Sequence, residues 1–156
     1  TNPTGYIPHT APTIDGGGGP SWSGFVIIMP WQVYLAYDDQ RILSKAYPSM
    51  VKLLQFWDRS RSKVDGLVHD WGVHNGKVVD PWTFLGDWVT PHGDEQPPSS
   101  GKALPEAELF NNCYILYCTR IVANASLALG FAAAATRYQN EADAMAAAIH
   151  AKFFVP

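Results

Sequence analysis

The sequence predicts an all-α fold made of two antiparallel helical hairpins joined by one long aromatic loop. Three observations carry that prediction. Apolar residues recur at helical spacing in two separate blocks, 21–61 and 105–154. Short breaks divide each block, Asp38-Asp39 and Pro48 in the first and Gly130 in the second. Between the blocks, 62–104 keeps no helical period; connections usually run ~4–6 residues, so a segment this long is expected to be functional or to be structured by something outside the chain.

Residues 1–20 read as an extended arm, rich in Pro and Gly and ending in four consecutive glycines, Gly16 to Gly19. No G-x-x-x-x-G-K-[ST] pattern is present, so the glycines are not a phosphate loop. Ser21 and Ser23 offer capping hydroxyls for a helix over Phe25 to Tyr37. That run is apolar on nearly every side, which predicts a helix buried all round. Pro30 either kinks it or marks its first turn. Asp38 and Asp39 cap a short helical stretch, and Pro48 is expected to open a new helix from Ser49 to about Arg61. In it Met50, Leu53, Leu54 and Trp57 form a core stripe, with Lys52, Gln55, Asp58 and Arg59 on the solvated side.

Within 62–104, Asn75-Gly76 flanked by Val73 and by Lys77-Val78-Val79 predicts a small β-hairpin. His69, Asp70 and His74 have a spacing that matches no established metal site and read as ordinary loop residues, so no metal or cofactor is expected. Pro105 with Glu106 and Glu108 starts a helix that runs to about Leu129, with Phe110, Tyr114, Tyr117, Ile121 and Leu127/Leu129 as its expected apolar face. Asn111 and Asn112 either meet a ligand or bond neighbouring loop carbonyls. Ala132 to Phe154 is the last helix. Its alanines permit close packing, and Tyr138, Met145, Ile149 and Phe153 are its large contacts.

The composition narrows the function. Only 16% of residues are charged, against a usual ~25%, so much of the helix surface is expected to be covered. A net charge of −3 gives no attraction to nucleic acid or to an anionic membrane. No apolar run is long enough to span a bilayer. Cys113 and Cys118, five apart on a helix, point roughly 140° from each other, which suits neither a disulfide nor a metal pair; both read as buried thiols.

The chemistry concentrates in 80–94, where three aspartates lie among Trp82, Phe84 and Trp88. Flat aromatic faces beside carboxylates suit a sugar, whose C–H face stacks on indole while its hydroxyls need charged acceptors. The same pattern also fits a structured loop whose tryptophans plug the core beneath it.

The motifs Gly-Gly-Pro-Ser-Trp (18–22), Val-Ile-Ile-Met-Pro-Trp-Gln-Val-Tyr (26–34), Tyr-Asp-Asp-Gln-Arg-Ile-Leu (37–43), Tyr-Pro-Ser-Met (47–50), Phe-Leu-Gly-Asp-Trp-Val (84–89) and Glu-Leu-Phe-Asn-Asn-Cys-Tyr (108–114) follow one another in order. Together with the tail at 148–154 they resemble the catalytic domain of bacterial α-L-rhamnosidases, glycoside hydrolase family 78. The resemblance covers nearly the whole chain and implies a partial (α/α)6 toroid. Phe25–Tyr37 and Pro105–Leu129 would be inner helices, with Ser49–Arg61 and Ala132–Phe154 wrapped around them.

The resemblance further implies hydrolysis of terminal α-L-rhamnosides with inversion, by one carboxylic acid and one carboxylate acting on water. It puts the acid ahead of Thr1 and the base beyond Pro156, so the chain is expected to be a middle section, inactive alone. Trp22, Asp87 and Trp88 are the substrate-binding residues it carries over. Many members have Gly-Asp after Pro-x-Trp; here Ser23-Gly24 stands instead. The competing readings are another (α/α)6 glycosidase and a non-catalytic helical sugar-binding module. The expected partners are a rhamnoside and, through the apolar faces that an arc of a ring exposes, further copies of the chain.

Overall fold

The structure is a computed structural model that describes residues 5, 7, 19–69, 73–74, 77–78, 86 and 105–154. The helices are α1 (Pro20–Ser23), α2 (Phe25–Tyr37), α3 (Gln40–Asp58), α4 (Pro105–Ala128) and α5 (Ala132–Phe153). Two short strands, β1 (Val73–His74) and β2 (Lys77–Val78), pair antiparallel with Val73 opposite Val78 and His74 opposite Lys77. The predicted all-α architecture with a small hairpin in the connecting segment is present. No helix among the described residues is long and apolar enough to cross a membrane.

The turn between α2 and α3 is short because Asp38 takes a left-handed conformation at φ 53°, which aspartate tolerates better than most residues. Asp39 then caps α3, its carboxylate accepting from the Arg41 amide at 2.9 Å. Bonding to the Arg41 side chain and amide holds the Asp39 carboxyl down at about 2. The α4–α5 turn closes on Gly130 at φ +79°, where Gly130 N donates to Leu127 O and Phe131 N to Ser126 O. That bond pair ends a helix with a glycine in the left-handed region.

Contacts fix the relative directions. Gly24, before α2, lies against Cys118 of α4, and Gln40, after α2, donates to Ala128 O at the end of α4. Hence α2 and α4 run parallel, with their N-termini towards one end. Tyr47 of α3 reaches Ser126, whereas Val68, beyond α3, bonds Asn112, so α3 runs antiparallel to α4. Glu108 at the start of α4 meets Lys152 at the end of α5. The connecting segment therefore leaves α3 and enters α4 at the end where α2 and α4 begin.

The core lies between the two hairpins: Ile27 of α2; Leu43, Met50, Leu53, Leu54 and Trp57 of α3; Ile115, Ile121 and Val122 of α4; Tyr138, Met145 and Ile149 of α5. Trp57 is 1% exposed, as its place in the predicted stripe requires.

Four expectations need correction. Helix α3 does not restart at Pro48; one helix runs from Gln40 to Asp58 with Pro48 inside. Leu43, Tyr47, Met50, Leu54 and Trp57 recur at four and three residues straight through the proline, and burying that stripe outweighs one missing N–H bond. The serines do not cap α2, whose N-cap is Gly24; Ser23 Oγ donates back to Gly19 O at 3.0 Å. Helix α2 is not buried all round, since Phe25 and Leu35 are each 58% exposed and only Ile27 is fully inside. On α4 the buried face runs through Ala107, Asn111, Ile115, Cys118 and Val122, while Tyr117 and Leu127 face outward.

The cysteines also part company. Cys118 is buried, and burial pushes its thiol up to about 12, whereas Cys113 is exposed. A thiolate is the reacting species. One equivalent of a thiol reagent should therefore react in the folded chain and a second only on denaturation. Two fast equivalents would contradict the burial of Cys118.

Candidate functional site

Helix α4 is the element on which the candidate site is assembled. Pro20 opens the single turn α1, and Gly19 precedes it at φ 109°, a backbone that side chains rarely adopt. Trp22 N and Ser23 N both donate to Gly19 O, at 3.2 and 3.1 Å, which fixes the turn that carries the half-buried Trp22. The turn seats on α4 through Gly24. A Cβ there would lie 2.5 Å from Pro20 O and 3.0 Å from Cys118 Sγ. This explains why a glycine follows Ser23 here: no side chain, aspartate included, fits between the turn and α4 without displacing one of them.

The second motif meets the same helix at Gly86. A Cβ on that buried residue would lie 2.9 Å from both Cα and Cβ of Ala107, so the backbone rests directly on the first turn of α4. Ala107 and Cys118 are eleven residues apart, about three turns and ~16 Å along the axis, and so lie on the same side of α4. The turn holding Trp22 and the residue preceding Asp87 are thus brought to one side of one helix. Asp87 and Trp88 themselves, like Trp82 and Phe84, lie outside the described residues.

Around this seat α4 buries polar groups and satisfies them locally. Thr119 and Ser126 donate to the carbonyls four residues earlier, Ile115 O at 2.8 Å and Val122 O at 2.7 Å. Since the Ser126 hydrogen is used there, the Tyr47 hydroxyl is the donor in its 2.7 Å bond to Ser126 Oγ. Asn112 ties the segment after α3 to α4. Its Oδ1 accepts from Val68 N at 3.0 Å, and its Nδ2 donates to Val68 O at 2.7 Å and to Glu108 O at 2.8 Å. Of the two uses open to this asparagine, bonding a loop carbonyl is the one it makes.

An ion cluster reinforces the same junction. His69 lies between Asp65, at 2.9 Å, and Glu108, and Lys152 from the end of α5 joins Glu108. Burial works to raise the Asp65 carboxyl. The Leu67 amide and the His69 ring outweigh it and hold the group below its usual range. A carboxyl depressed on folding adds stability above the unfolded-state range of ~4 and loses it as the pH falls through the folded value. Acid unfolding should therefore be less steep in Asp65→Asn below about pH 4; an unchanged slope would remove Asp65 from the acid-sensitive set.

Chemically, the cluster is a clamp. Each carboxylate in it faces a cation or an imidazole, and neither opposes the other across an open gap as an acid/base pair must. Among the described residues no group of three or more His, Cys, Asp or Glu could hold a metal ion. His74 belongs to β1, and Asp70 lies outside the described residues. Sequence reasoning missed the clamp because its members, Asp65 and His69 aside, are at least 39 residues apart in the chain. Only the Asp65–His69 spacing of four hinted at it.

Comparison with known proteins supplies the context. The family model of the bacterial alpha-L-rhamnosidase 6 hairpin glycosidase domain matches residues 1–156. An alpha-L-rhamnosidase of Alteromonas sp. (strain LOR) is 26% identical over 152 residues, covering 96% of this chain and 15% of its own length. The structure of an alpha-L-rhamnosidase from Dictyoglumus thermophilum superposes with a TM-score of 0.65 at 24% identity, over 87% of this chain and 13% of that one. At that identity the superposition speaks to the fold. The chain thus spans about a seventh of the length of either relative.

Proposed function

Because this chain belongs to the bacterial alpha-L-rhamnosidase 6 hairpin glycosidase domain family, we propose that it forms the sugar-facing arc of an (α/α)6 glycosidase that releases terminal α-L-rhamnose with inversion. The observation that carries the proposal is the convergence on α4. The turn bearing Trp22 and the residue preceding Asp87-Trp88 seat on one side of that helix, the first against Cys118 in its middle and the second on its first turn. In this reading the indoles of Trp22 and Trp88 stack on the apolar face of the deoxyhexose and Asp87 accepts from a hydroxyl. Residues 62–104 supply the loop on the sugar side.

Inversion needs a general acid on the leaving oxygen and a general base on a water at the opposite face, roughly 6.5–9.5 Å apart. Among the described residues the clamp of Asp65, His69, Glu108 and Lys152 does not provide such a pair, and in this reading the chain alone binds the sugar without hydrolysing it. A two-hairpin arc also leaves apolar helix faces exposed, and the same reading has the chain self-associate through them.

The test is direct. Titration with rhamnose should show saturable binding that weakens about tenfold or more in Trp22→Ala, the loss typical of removing one aromatic anchor. No aryl α-L-rhamnoside should be turned over. Sustained hydrolysis abolished by Asp87→Asn would mean that the acid and base lie within the chain. Binding of a different sugar in place of rhamnose would keep the arc and change the substrate.

A further inference from the structure

Helix α4 carries two asparagines side by side, and both are fully buried. A buried amide is kept where there are polar groups for it to bond, since it offers two N–H donors and a carbonyl acceptor. Asn112 shows what such an amide does on this helix. Its oxygen accepts from Val68 N and its nitrogen donates to Val68 O, so one side chain grips the chain at a single residue beyond α3.

Asn111 has a different neighbour. Successive residues of a helix are turned about 100° from each other, so Asn111 faces away from the Val68 side. It stands one turn after Ala107 and about 40° round from it. Helical side chains lean towards the N-terminus and cover the turn before their own Cα. The Asn111 side chain is thereby directed to the turn of Ala107, on which Gly86 rests so closely that a Cβ there would lie 2.9 Å from Ala107 Cα and Cβ. Gly86, Ala107 and Asn111 are all buried within this chain, so the arrangement does not depend on any exposed surface. Backbone pressed onto a helix away from water needs partners for its peptide groups, and a glycine brings no side chain to anchor it.

We propose that Asn111 is the positioning residue for the segment that crosses α4 at Gly86. Its amide bonds peptide groups of that segment, as the Asn112 amide bonds those of Val68, and so sets where the following Asp87 presents its carboxylate. The two asparagines then hold two separate points of the connecting segment against one helix. For the role of Asp87 this rests on the sugar-binding reading above; the grip itself does not.

Asn111→Leu keeps the size and removes the amide. Native-state amide exchange should quicken about tenfold or more at Gly86 and Asp87 and stay near the wild-type rate at Val68, whereas Asn112→Leu should act chiefly at Val68. A purely structural loss would speed both places together. Rhamnose affinity of the folded chain should fall about tenfold in Asn111→Leu, the size of one lost anchor. Asn111→Leu combined with Asp87→Asn should bind little more weakly than Asp87→Asn alone, because a residue without its carboxylate has nothing left to misplace; independent losses would multiply to about a hundredfold. Should circular dichroism show the leucine variant unfolded, Asn111→Ala removes the same amide without adding bulk and is read in the same way. No acceleration at Gly86, or equal acceleration at Gly86 and Val68, would overturn the grip. Multiplying losses would overturn the action through Asp87. An unaltered chain that binds no rhamnose yet shows the crossed exchange pattern would sink the sugar reading and leave the grip standing.

Discussion

Asn112→Leu should destabilise the folded chain by about 3–5 kcal/mol, since it strands several buried polar groups at about 1–3 kcal/mol each. Asn112 is fully buried, and so is Val68, whose N–H and C=O are both held by the one amide. Leucine matches asparagine closely in size, so cavity formation contributes little; the loss is that of partners for groups that water cannot reach. A domain of this size is typically stable by only about 5–15 kcal/mol, so the change should appear as a large drop in the urea midpoint. Asn112→Asp should be no better: it keeps an acceptor for Val68 N but turns a charge towards the Val68 and Glu108 carbonyls. Amide exchange at Leu67 and Val68 should accelerate in both variants more than exchange in α5. A midpoint shift equivalent to less than about 1 kcal/mol would show that this asparagine does not hold the junction.

The second large effect is expected at Trp57. Truncation to alanine should cost about 3–5 kcal/mol, through lost burial and the cavity left between α3 and its neighbours. Trp57→Phe should cost much less. The indole N–H is buried with no partner among the described residues, so phenylalanine removes volume but no hydrogen bond. Denaturation midpoints ordered wild type, Phe, Ala with the larger gap at alanine would agree with this. Equal losses in the two variants would mean that the indole N–H is bonded after all.

Much of the architecture was legible from local patterns. Pro105, Gly130 and the two aspartates at 38 and 39 mark helix ends because they act on their immediate backbone neighbours, and the structure puts the ends there. The stripe through Met50, Leu54 and Trp57 and the α5 contacts Tyr138, Met145 and Ile149 were likewise readable, since a 3.6-residue period needs no knowledge of the partner. The order of short motifs identified the family. Pro48 misled, because a local rule for breaking helices competes with a stripe that continues past it and is settled only by what the stripe packs against.

What the sequence alone determined is most of the points where helices begin and end, which residues repeat along one side, and which family the chain belongs to, for these depend on neighbours within a few positions. Tertiary structure decided the rest. It turned Asn111 and Asn112 inward on α4 and left Tyr117 and Leu127 out, joined Asp65, His69, Glu108 and Lys152, and seated Gly24 and Gly86 on the same side of one helix. The physical reason is that a helix as apolar as α2, or as mixed as α4, has no preferred inward side of its own. Its inward side is whichever one its neighbours cover, and those neighbours are set by contacts between residues far apart in the chain.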